Sequence, residues 1–234
     1  MYIPFSFAGA SSGSIVLNGL QIWNSYGGYD ASAGTWQDLS GNGNSGSVIG
    51  TLTDVGGAYS FNGINNSVFY GQSIPDTLTT NLTISFMGSG FPLDGVNRWA
   101  WYAYDNIGVP AGFWQYFRNT ATPDDLEFRC TRGGGNVTFN VPYNYNPPET
   151  TMYTITVSGA QVVYYKNSQI LATINNPSGD PYYVGPGFPS NPLSFGSGSG
   201  LNTFSGSISN LLLYDRTLTS NEVTNNWNYL IGTI

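Results

Sequence analysis

Apolar residues in this chain recur at every second position in short runs, and clusters of Gly, Asn, Ser, Asp and Pro separate the runs. Leu82, Ile84 and Phe86 alternate with Thr83 and Ser85, which predicts a strand with one face on a core. The clearest hairpin spans residues 152–174. There Tyr153, Ile155 and Val157 alternate with Thr154 and Thr156, Ser158-Gly159 turns the chain, and residues 161–165 return. A second tight turn at Lys166-Asn167-Ser168-Gln169 leads into residues 170–174. Further strands are predicted at 21–23, 58–61, 67–70 and 206–214, and aromatic sections cover 99–104 and 113–117. Residues 175–203 read as a long rim loop broken by a short strand at 193–195.

One helix is predicted, near the C-terminal end. Thr219-Ser220-Asn221-Glu222 has the form of a capping box, in which Thr219 accepts from an early helical N–H and Glu222 reaches back. Val223, Trp227 and Leu230 follow at helical spacing and give one apolar stripe. Many short strands with turns between them, closed by one short helix, predict an all-β sandwich or jelly roll. No linker interrupts the chain and no repeat recurs at a solenoid or propeller period. Residues 18–234 are therefore predicted to form one domain, preceded by an arm or edge strand at 1–17.

Composition narrows the partners. The 234 residues are 40% apolar and 15% aromatic, enough for the core of one large sandwich. Only 8% are charged, against about 25% in ordinary soluble domains. Solubility then comes from Asn, Ser, Thr and Gly, a surface suited to proteins outside cells or packed in assemblies. A net charge of −7 argues against nucleic acid and anionic membrane as partners. The segment from Met1 to Phe7 has neither a basic region nor a long apolar stretch, so it reads as neither a secretory signal nor a membrane span. Extracellular composition without an export signal leads to the expectation of a virion component, assembled in a host cell and released by lysis.

Four segments carry a family resemblance. Gly19-Leu20-Gln21-Ile22-Trp23, then Thr35-Trp36-Gln37-Asp38-Leu39-Ser40-Gly41-Asn42-Gly43-Asn44-Ser45-Gly46, then residues 59–68 resemble the opening half of the laminin-G-like, concanavalin A-like jelly-roll family. Residues 204–223, from Phe204-Ser205-Gly206 to Asn221-Glu222-Val223, resemble its closing strand and C-terminal helix. The resemblance implies a concanavalin A-like jelly-roll sandwich of two antiparallel sheets with one short C-terminal helix. The family includes lectin-like modules, adhesion domains, appended domains of hydrolases and phage virion proteins, so the fold alone does not choose a function. This chain departs from the pattern at two places. It has Asn24-Ser25-Tyr26 where members often carry an acidic residue, which weakens a carried-over calcium or sugar site, and Asn167-Ser168 where the hairpin turn is commonly Asn-Gly.

The chain has no His, which excludes Ser-His-Asp and Cys-His catalysis and His-bearing zinc sites. Cys130 is the only cysteine, and alternation places it with Leu126 and Phe128 on one face, as a buried apolar residue. Glycoside hydrolysis needs paired carboxylates, and Asp125 and Glu127 would share a face, but a turn followed by a solvated face is the preferred reading. Asp38, Asn42 and Asn44 offer hard oxygens to calcium in a Gly-rich loop, although only one is charged, and turn hydrogen bonding is preferred to a metal or other cofactor. Trp99, Trp101, Tyr104, Trp114 and Tyr116, with Tyr102, supply flat faces on which a sugar could stack, although most are expected in the core. Alternation puts Trp99 and Trp101 on one face and Tyr102 and Tyr104 on the other. Tyr2, Phe5 and Phe7 are the candidate anchors of the arm.

These features lead first to a non-enzymatic virion surface protein, a capsid decoration or fibre-type component that self-associates and contacts other virion proteins. The alternative is a carbohydrate-binding or adhesion module recognising glycans on a cell surface. A glycoside hydrolase is the third and least favoured reading.

Overall fold

Strands occupy nearly every run that the alternation predicts. The computed structural model describes residues 13–71, 80–91, 95–105, 111–118, 125–132, 135–142, 145–176, 193–196 and 203–233. In chain order the first elements are β1 (Leu20–Ser25), β2 (Tyr29–Asp30), β3 (Thr35–Trp36), β4 (Gly46–Ile49), β5 (Thr53–Asp54), β6 (Tyr59–Asn62) and β7 (Ser67–Phe69). Then come β8 (Leu82–Ser89), β9 (Arg98–Asp105), β10 (Ala111–Arg118), β11 (Asp125–Arg132), β12 (Gly135–Pro142) and β13 (Thr151–Val157). The last are β14 (Gln161–Lys166), β15 (Gln169–Asn175), β16 (Ser194–Phe195), β17 (Ser205–Tyr214) and the helix α1 (Ser220–Ile231).

The first sheet has the order β15-β14-β13-β8-β17-β6-β5, with β1 also paired to β17. The second has the order β12-β11-β10-β9-β16-β7-β4-β3-β2. Among the described residues all pairing is antiparallel, and the chain is a jelly-roll sandwich of two antiparallel sheets with a C-terminal helix. The central strand β17 lies beside β8, β6 and β1, which brings the closing segment of the chain against its opening one. Between the sheets, Ile84, Phe86, Tyr153 and Leu213 of the first meet Trp101, Phe117, Phe128 and Phe195 of the second in one apolar core. Cys130 is buried there as well.

The outer face of the first sheet is covered too. Met87, Met152, Leu212 and Tyr214 pack with Val223 and Leu230 of α1, and Ile15 closes the layer. Thr83, Ser85, Thr154 and Thr156 are consequently buried, although alternation alone leaves that face to solvent. Hydroxyls tolerate the site because they find partners. The Ser85 and Thr154 hydroxyls lie 2.8 Å apart in a hydrogen bond, while Thr83 Oγ1 donates to the Arg216 carbonyl at 2.8 Å and accepts from the Leu218 amide at 2.9 Å.

The helix starts as predicted. Thr219 Oγ1 accepts from the Glu222 amide, and Glu222 accepts from the Thr219 amide at 2.8 Å. Arg216 clamps the same carboxylate through both Nη groups, at 3.0 and 2.6 Å. That ion pair and the Thr219 bonds lower the Glu222 carboxyl to about 2. Within the helix Val223 and Leu230 are buried and Trp227 is half-buried. Asn226 joins the buried side unexpectedly: its Nδ2 donates to the Tyr214 hydroxyl and its Oδ1 accepts from the Val16 amide, both at 2.9 Å. The last residues of the arm are thereby tied to the helix. Tyr2, Phe5 and Phe7 lie outside the described residues, as does most of the 175–203 segment apart from β16. At the second hairpin turn Asn167 takes φ +59°, and its Oδ1 accepts from the Met152 amide at 3.0 Å, so Asn167-Ser168 serves without glycine.

Candidate functional site

A bulge in the second sheet decides which aromatic residues face outward. β9 and β10 pair as Phe113↔Ala103 and Trp114↔Tyr102, then as Tyr116↔Trp99 and Phe117↔Arg98. Ala100 and Trp101 therefore face the single residue Gln115, and side chains beyond the bulge exchange faces. Trp101 turns inward, fully buried, stacked with Tyr70 at 6.0 Å between centroids and edge-on to Phe195 at 5.4 Å. Trp99 turns outward. Its ring lies 5.3 Å from Tyr102 and 5.3 Å from Tyr116, and all three are partly exposed.

This corrects the expectation from simple alternation. Trp99 and Trp101 stand on opposite faces, and Trp101 is a core residue that no ligand reaches from solvent. Tyr102 takes its place beside Trp99. The side chains of Tyr104 and Trp114 lie outside the described residues; Trp114 stands in register between Tyr102 and Arg129.

The neighbouring strand β11 brings charge to the same face. Leu126, Phe128 and Cys130 enter the core, leaving Glu127 and Arg129 on the outer side. Glu127 stands opposite Tyr116 and Asn140, and Arg129 opposite Trp114 and Thr138. Glu127 is wholly buried and forms an ion pair with Arg129 Nε, whose side chain is 34% exposed. The expected solvated face is therefore wrong for Glu127, because its partner strands and Arg129 remove it from water. Asp125 is half-exposed and in register with Arg118. The Glu127 carboxylate is thus held against Arg129 rather than open to solvent.

Across the strands, one register row runs Asn140, Glu127, Tyr116, Trp99. Three strand spacings make it about 14 Å long. One end is polar and charged; the other offers aromatic faces with polar edges. Such a surface can stack the apolar face of a sugar ring while hydrogen-bonding its hydroxyls.

The Asp38 loop is knit to β1. Asp38 Oδ1 accepts from the amides of Trp23 (3.0 Å) and Ser40 (2.9 Å), and Oδ2 from Ser40 Oγ (2.7 Å) and the Asn44 amide (2.9 Å). Asn42 Nδ2 donates to the Leu20 carbonyl at 2.7 Å, and Asn44 Nδ2 to the Gln21 carbonyl at 2.8 Å. The carboxylate proposed for calcium thus already accepts four hydrogen bonds. Asn24 is fully buried. Its Nδ2 donates to the Trp36 and Gln37 carbonyls at 2.9 Å each, and its Oδ1 accepts from the Tyr70 hydroxyl at 2.5 Å. No sequence signal marked Asn24 as the hub joining β1, the Asp38 loop and the segment after β7.

Fold and surface together define a two-sheet jelly-roll sandwich with an aromatic and polar outer face. No protein-family model and no curated sequence matches the chain. Solved structures do match. The binding domain of botulinum neurotoxin DC in complex with SialylT is similar at 12% identity and TM-score 0.66, over 92% of this chain and 52% of its own. The binding domain of Paraclostridial mosquitocidal protein 1 is similar at 18% identity and TM-score 0.66, over 90% of this chain and 52% of its own. Domain 4 of an extracellular arabinanase from Geobacillus stearothermophilus, in complex with arabinotriose, is similar at 17% identity and TM-score 0.64, over 88% of this chain and 97% of that domain. The chain spans about half the length of the toxin binding domains it matches. The likeness is one of fold.

Proposed function

We propose that this protein is a non-enzymatic carbohydrate-binding module, taking a glycan on the outer face of its second sheet. The observation that carries this reading is the cluster of Trp99, Tyr102 and Tyr116, partly exposed, with ring centroids 5.3 Å apart around Trp99 and a charged pair one strand away. Large aromatic side chains left on a sheet face beside hydrogen-bonding groups are the usual means of holding a sugar ring. Support also comes from the neighbours, since the arabinanase domain was solved in complex with arabinotriose and the toxin domain in complex with SialylT. Neither the structure nor its neighbours adds support for a virion surface role, which rests on composition and on the sequence resemblance.

A glycan-array screen of the purified protein tests the reading. Trp99→Ala and Tyr116→Ala are expected to abolish the array signal while leaving the circular dichroism spectrum unchanged. An array silent for the unmodified protein, or signals untouched by both substitutions, would overturn it.

A further inference from the structure

The charged pair beside the aromatic cluster points to the class of glycan, an inference that rests on the carbohydrate-binding reading. An ion pair with a buried member is weak evidence for stability, since desolvation offsets much of the attraction. Two other ion pairs have local explanations. Glu222–Arg216 belongs to the helix cap, and Glu149–Lys166 ties the segment before β13 to the end of β14. Glu127–Arg129 lies on the outer face of β11, one strand from Tyr116, in a protein only 8% charged.

The geometry separates the two roles. Glu127 is buried, so it does not meet a ligand directly; it holds the guanidinium through Nε. Arg129 exposes about a third of its side chain, 34%, beside the row of rings. A guanidinium fixed by a carboxylate presents directed donors at little further entropic cost. Its charge is already matched. Register also sets Asp125 opposite Arg118, two residues along from Glu127. The whole chain carries −7. An anionic sugar would compete with Glu127 for Arg129 and approach against the overall field.

We infer that the site selects an uncharged glycan, with Arg129 as the residue that hydrogen-bonds its hydroxyls and Glu127 as the positioning residue that neutralises and orients Arg129. The test is a glycan array carrying neutral pentose and hexose oligosaccharides beside uronate oligosaccharides of the same length, read at low and high salt. The unmodified protein is expected to mark the neutral spots. Glu127→Gln is expected to weaken those about tenfold, the worth of one charge-assisted hydrogen bond. It should also raise the uronate signals, which then fall with added salt. Arg129→Gln should lose the neutral signals without gaining the uronate ones, and it serves alone if Glu127→Gln does not fold. Uronate preference in the unmodified protein, or a folded Glu127→Gln or Arg129→Gln variant with the original pattern, would overturn the inference while leaving carbohydrate binding intact. An array silent throughout would remove both.

Discussion

Asp38→Ala is expected to lower the melting temperature by roughly 6–12 °C, by the same amount in calcium as in a chelator. The carboxylate accepts four hydrogen bonds, two of them from Ser40, which is close enough to the surface to turn to water. The other two come from the backbone amides of Trp23 and Asn44, and the bond to Asn44 is buried. Leaving a buried donor without its acceptor costs about 1–3 kcal/mol. The two amides together come to about 3 kcal/mol, and at this chain length each kcal/mol moves the transition by about 2–4 °C. Differential scanning calorimetry of both proteins, in calcium and in chelator, makes the comparison. If calcium raises the melting temperature of the unmodified protein, and the deficit of the variant disappears in chelator, Asp38 is a metal ligand and the hydrogen-bond reasoning is wrong. A deficit near zero in both conditions would mean that water replaces the carboxylate without loss.

Four further outcomes are open to measurement. Trp101→Ala should cost about 3–5 kcal/mol in a urea melt, because a fully buried indole is deleted, whereas Trp99→Ala should leave the midpoint nearly unmoved; the reverse order would refute the bulge assignment. Gly88→Ala should not yield soluble folded protein, since a Cβ there would lie 1.8 Å from the Ser207 carbonyl oxygen, and a normal urea midpoint would contradict this. At acid pH, Glu222 titrates at about 2 against an ordinary 4.5, so between these values the unfolded chain holds more protons than the folded one. Its contribution is present above about pH 4.5 and lost as pH falls toward 2; Glu222→Gln should flatten that limb of a stability–pH curve. At alkaline pH, burial pushes the Tyr70 and Tyr164 hydroxyls well above their ordinary value of 10. Their contribution is present below pH 10 and lost as pH rises beyond it, so the part of the tyrosinate absorbance that these buried rings supply should appear only together with loss of β-sheet dichroism.

Much of the fold is legible in the sequence because local patterns report local structure. Alternation at 82–86 and 153–157 marks true strands, and the turn at Asn167-Ser168 falls where the pattern breaks. The Thr219–Glu222 spacing specifies a helix start that needs no distant partner. The opening and closing segments, read as a family resemblance, lie side by side as β1 and β17.

Other features exist only once distant segments meet. Periodicity says that Thr83 and Leu82 face opposite ways, but not that α1 and the end of the arm will cover the Thr83 side. Asn24 reads as a polar residue at a strand end, and only the approach of Trp36, Gln37 and Tyr70 makes it a buried hub. Glu127 has the spacing of an exposed residue and is buried by its strand partners and Arg129. Most consequential is the bulge at Ala100 and Trp101. An extra residue is a property of two paired strands rather than of either alone, so no inspection of residues 99–104 could show that Trp99 leaves the core as Trp101 enters it. The sequence by itself determined many of the strands and which residues are aromatic; pairing across β9, β10 and β11 decided which of the aromatic residues meet the solvent.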